Sequence, residues 1–154
     1  MQTVLIPFAV DLTSEKLSFG RTMSNERIVV LEESHKDLGL KDLGALEISD
    51  RLTVISRRIC GEEYALLEDK DVVRDVLKFP KRSKDSPQFI GSCQLNGHDL
   101  PGRAIGVLKN EHGVEILLAV TAWKIDDKQM KFVQLQTEGL RCSREGIITA
   151  DGGP

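Results

Sequence analysis

The stretch RAIGVLKNEHGVEILLAVTAWKIDDKQMKFVQLQT, residues 103–137, constrains the fold more than any other part of this chain. Three apolar runs are separated by two short polar segments, NEHG and DDKQ. A connection that short joins antiparallel neighbours, because parallel strands need a long crossover. The expected product is a three-stranded meander. Successive side chains on a strand point to opposite faces. In the middle strand this places Val114, Ile116, Leu118 and Val120 on one face and Leu117, Ala119 and Trp123 on the other. Both sets are apolar, which predicts a central strand covered on both faces.

Upstream, RLTVISRRIC (51–60) reads as a strand with Leu52 and Val54 on one side and Thr53, Ile55 and Arg57 on the other. CGEE turns the chain into YALLE. Residues 2–10 and QFIGSCQL (88–95) also read as strands. RIVVLEES (27–34) reads as a strand from its β-branched start, with a helix capped by Ser24 as the alternative. The clearest helix is expected at 69–79. Asp69 can cap it, Val72, Val73, Val76 and Leu77 mark one face at helical spacing, Lys78 suits its negative end and Pro80 stops it. That helix would cover one face of the meander. The block Lys-Asp-Leu-Gly occurs at 36–39 and again at 41–44. A pentapeptide solenoid needs many stacked coils, and this pattern stops too early, so the segment reads as a glycine-containing connection. PKRSKDSP (80–87) is a loop bracketed by prolines, and NGHDLPG (96–102) is a turn. The expected class is α+β: a single domain over 1–154, predominantly an antiparallel sheet of roughly five to seven strands with one or two packed helices. Residues 150–154 read as a poorly ordered tail.

A chain of 154 residues can bury its own core without metal. With five Phe, one Tyr and one Trp, that core has to rest on Ile, Leu and Val. A net charge of −3 supplies no field for nucleic acid or an acidic membrane. No apolar run reaches the roughly 18 residues of a spanning helix. The apolar stretch Val4–Val10 is interrupted by Pro7, and no Lys or Arg precedes Lys16, so the basic start of a secretory signal is missing. That suits a cytoplasmic chain, or a periplasmic or secreted one whose signal has been removed.

The cysteines bear on that choice. Cys60 and Cys93 lie beside apolar strand-like runs, whereas Cys142, in LRCSREG, reads as an exposed turn residue. In an oxidising compartment two of the three would pair, and sequence does not rank the three pairings. An exposed thiol persists there more readily when paired. One disulfide and a periplasmic or secreted location are expected, with the cytoplasm as the alternative.

Candidate chemistry is sparse. Cys93, His98 and Asp99 lie close together, but His35 and His112 are elsewhere, and neither C-x-x-C nor H-E-x-x-H occurs, so no metal site is expected. Cys93 with a histidine would make a nucleophile pair, yet nothing nearby lowers the thiol's pKa, and a structural cysteine is the better reading. Serine-hydrolase, P-loop and dinucleotide signatures are absent. The acidic pairs Glu32–Glu33, Glu62–Glu63 and Asp126–Asp127 point their members apart. Lys78, Lys81, Arg82 and Lys84, with Arg57 and Arg58, would suit an acidic protein surface, but they lack the aromatic platforms that nucleic acid wants. These observations favour a small non-catalytic binding protein without a cofactor, acting by protein–protein contact. Inhibitors and toxin-neutralising immunity proteins are one class of that size and charge. Contact would come through a sheet face or through Lys81, Arg82, Lys84, Asn96, His98 and Asp99 in the two loops. The alternatives are a small enzyme using Cys93 or a histidine, and a domain that self-associates through a sheet edge.

Overall fold

The computed structural model describes residues 27–148. The strand expected at 2–10 and the tail at 150–154 lie outside these. The described residues are mainly antiparallel β-sheet with a single short α-helix. Contacts divide the chain into two compact units between Lys78 and Phe79, with no intervening linker.

The first unit contains helix α1 (Ile28–His35), a 3-10 turn (Lys36–Leu38) and strands β1 (Lys41–Glu47), β2 (Leu52–Ile59), β3 (Glu62–Asp69) and β4 (Val72–Lys78). The strands form an antiparallel meander in the order β1-β2-β3-β4. Two expectations are overturned here. The helix expected at 69–79 is strand β4. Its pairing skips Arg74: Leu67 faces Asp75, but Glu68 faces Val73. The extra residue reverses the alternation, so Val73 and Val76 pack into one cluster although three positions separate them. A bulged strand thus carried the spacing of a helix. Conversely, Ile28–His35, which overlaps the segment expected as a strand, is helical, because Ile28 packs with Ile55, Ile59, Tyr64, Leu66 and Val73. Glu32, one turn on along the same face, meets Arg57. The second half of the glycine-containing connection expected over the repeated block belongs to the edge strand β1. Its Gly44, at φ +114, sits in a bulge whose Asp42 carboxylate accepts the Gly44 N–H at 2.8 Å.

Arg57 fastens this unit together. Only 9% of its side chain is exposed. Its Nε donates to Glu32 of α1 at 2.8 Å and its Nη1 to Asp42 of β1 at 2.6 Å. Arg58 pairs with Glu63 at 2.8 Å and Lys78 with Glu62 at 3.5 Å. These three cations are therefore satisfied within the first unit.

The second unit contains β5 (Gln88–Gly91), β6 (Cys93–Leu95), β7 (His98–Asp99), β8 (Ala104–Leu108), β9 (Ile116–Asp126), β10 (Lys131–Gln134), β11 (Leu140–Ser143) and β12 (Ile147–Ile148). Their order is β12-β5-β8-β9-β11-β6-β7, with β10 also paired to β9. The expected meander is β8-β9-β10. One face holds Phe89, Ala104, Leu108, Leu117, Ala119, Ala122 and Leu140 around Cys93 and Cys142. At Gly106 a Cβ would lie 2.1 Å from the Thr121 carbonyl oxygen, so only glycine lets β8 approach β9 this closely.

Replacing Arg57 by Ala is expected to cost about 2 kcal/mol, at the low end for a buried ion pair because Glu32 and Asp42 are themselves partly exposed. Adding Glu32→Gln should then cost little more, as read by chemical denaturation. Full additivity of the two changes would show that the network couples nothing. The β3–β4 turn holds Lys70 and Asp71 at φ 51 and 70, a conformation that Asn-Gly adopts with less strain. The double change Lys70→Asn, Asp71→Gly should therefore raise stability by about 1 kcal/mol in the same assay.

Candidate functional site

The second unit carries an exposed aliphatic row on its longest strand. Along the first half of β9 the side chains alternate strictly. Leu117 and Ala119 are buried in the core, whereas Ile116 and Leu118 are each 37% exposed and Val120 is 51% exposed. This corrects the expectation of a strand covered on both faces. The reason lies in the reach of the neighbours. Farther along the sheet the same face carries Ile90, Ile105, Val107 and Ile125, which are all buried, but cover stops short of 116–120.

The strand beneath this row is fixed on both edges. Leu117 and Leu118 face Cys142 and Arg141 of β11. On the other edge Ala119 faces Leu108, and the Lys109 N–H donates to the Leu118 carbonyl at 2.8 Å. Leu118 therefore stands between two exposed cations, Arg141 on one side and Lys109 on the other. Neither joins an ion pair among the described residues. The row continues outward from Arg141 to Gln94 of β6 and Asp99 of β7. Ser143 faces Ile116, and the exposed Glu111 and Glu115 lie beyond that end. An aliphatic centre with a polar rim is the anatomy of a protein–protein contact.

The residues suggested by sequence fall into two groups. Lys81 and Lys84 are exposed, and Arg82 reaches the Ile148 carbonyl at 3.2 Å. Their loop lies at the Leu108 end of β8, where Leu108 bonds to Pro87 and Asn110 to Asp85. Asn96, His98 and Asp99 are exposed in the β6–β7 hairpin, whose turn puts Asn96 and Gly97 at φ 51 and 84. The chain leaves that hairpin into the opposite, Ala104 end of β8, about 13 Å along the strand. The two loops are thus separate, and of the six residues only Asp99 shares a row with the β9 face. The signal for that face was present in the alternation of 116–120; what sequence lacked was the extent of its cover.

The cysteines trade the places expected of them. Cys142 sits in β11, directly opposite Cys93 of β6, and the two form a disulfide with both side chains buried. Cys93 is therefore not a thiolate nucleophile in this form. Cys60 is the exposed turn cysteine, at φ 55 between β2 and β3, and partial shielding from water pushes its thiol pKa up. Asp126 belongs to a turn: the Gln129 N–H, then that of Lys128, donates to its carboxylate and lowers its pKa. Among the described residues no three His, Cys, Asp or Glu side chains group as metal ligands. A small cleft beside Cys93, lined by Leu100, Arg103, Lys124 and Leu135, has room for about one water molecule. No helix is long and apolar enough to cross a membrane among those residues. No protein-family model matches this chain, and neither does any curated protein or solved structure.

The folded, unreduced protein should show one titratable thiol, Cys60, reacting more slowly at pH 8 than a free cysteine because its thiolate is disfavoured. Reducing Cys93–Cys142 opens a link across 49 residues and should cost up to about 4 kcal/mol, read from the fluorescence of the single tryptophan, Trp123. Three reactive thiols in the native protein would contradict the pairing.

Proposed function

We propose that this chain is a non-catalytic binding protein that meets a protein partner through the outward face of β9. One observation carries the reading: Ile116, Leu118 and Val120 stand exposed in a row whose centre, Leu118, is held from both edges of its strand. Solvating such a row costs free energy that burial against a partner recovers. A row on a doubly paired strand also loses little conformational freedom on binding, which favours association. The polar rim of Arg141, Lys109, Gln94 and Asp99 gives the contact direction and register. An oxidising compartment, periplasmic or extracellular, suits this role. The Cys93–Cys142 bond supports it, because disulfides persist there and are rare in reducing cytosol. Inhibitors and immunity proteins act in this way, by occupying a surface with no chemistry of their own.

A photo-crosslinking side chain placed at 118 or 120, in the cells that make the protein, should yield one discrete adduct with another protein. The same group at Lys131, at the far end of the meander, should yield none. Equal labelling from all three positions, or no adduct at 118 and 120, would overturn the reading.

A further inference from the structure

We infer that the occupant of the β9 row is an acidic amphipathic helix of the partner, laid along the strand; this rests on the reading of that face as a protein-binding surface. Strand addition is closed to the partner at Leu118, the centre of this row. β11 pairs with 116–118 on one edge, while Lys109 and Leu108 bond or pair with Leu118 and Ala119 on the other. An added strand needs free N–H and C=O groups along an edge. The partner has to pack on the side chains.

The width of the row selects what packs. The apolar part is one strand wide, because the residues opposite Leu118 on both sides are the cations Arg141 and Lys109. Two strand spacings set their backbones about 10 Å apart, close to the diameter of a helix. A second sheet would lay several apolar strands across both cations. A helix presents a single apolar stripe with a charged flank on each side. From Ile116 to Val120 the row is about 14 Å long, the rise of roughly nine helical residues. The stripe therefore needs apolar side chains over two to three turns, with Glu or Asp on both flanks to meet Arg141 and Lys109. Glu111 and Glu115, beyond Ile116, best face the amino end of such a helix, where its dipole is positive.

Two synthetic 18-residue helical peptides with the same leucine stripe, one flanked by glutamates and one by lysines, test this by fluorescence anisotropy. The glutamate peptide should bind at least tenfold more tightly, and less so as salt is raised. The pair Lys109→Glu, Arg141→Glu should reverse the preference, and Val120→Asp should remove binding of both peptides. All three residues are exposed, and Trp123 fluorescence checks that each variant is folded. Equal binding of the two peptides, a preference that survives the charge reversal, or no binding of either would overturn the helix. So would a concentration-dependent dimer abolished by Val120→Asp, which would name a second copy of the chain as the occupant. Crosslinks from 118 and 120 without peptide binding would leave the face standing and remove the helix; loss of both would remove the face as well.

Discussion

The register of β9 is the constraint on which the second unit depends. A strand's side chains alternate with a period of two, so a slip of one residue would exchange its faces. Leu117 and Ala119 fit the core and are almost fully buried, and a bulge at Val120, which the pairing with β8 skips, resets the alternation so that Ala122 joins them. With them inside, Ile116, Leu118 and Val120 have nowhere to go but out. The exposed row therefore follows from the same pairing that builds the core, and a shift that hid it would drive the buried set into water.

Two kinds of fastening hold the frame. In the second unit β6 is only three residues long, and its ladder to β11 consists of three pairs. A covalent bond between Cys93 and Cys142 secures what so few hydrogen bonds would leave loose. In the first unit no disulfide is present among the described residues, and a buried arginine takes that part. Arg57 gathers carboxylates from α1 and β1, so the helix is tied to its sheet by direction as well as by apolar burial. Leaving Glu32 without Arg57 would strand charge at a partly buried site.

The sequence was most informative where one rule acted alone. Residues 103–137 alternate and turn at polar segments, and they form β8, β9 and β10. It misled where two rules coincide. Val72, Val73, Val76 and Leu77 have the spacing of a helix, but a strand with a bulge at Arg74 produces the same spacing. The glycines at 39 and 44 argued for a connection, whereas Gly44 serves a bulge in an edge strand. Ile-Val-Val at 28–30 argued for a strand, and tertiary packing of Ile28 with the pairing of Glu32 and Arg57 made it a helix. For the site, the set 116, 118 and 120 was legible as one face. That it would stay uncovered depends on where other elements end, which no local pattern records. Cys142 looked like a turn residue because charged and small residues surround it, but Arg141 and Ser143 alternate outward while Cys142 points in.

Everything proposed about binding therefore reduces to which side chains of β9 meet water in the protein alone. Carbene footprinting with residue-level mass spectrometry measures this without a partner. The expected result is heavy labelling of Ile116, Leu118 and Val120 with little at Leu117, Ala119 and Ala122. Equal labelling of the two sets, or protection of 116, 118 and 120, would contradict an outward aliphatic face and remove the surface on which the proposed function stands.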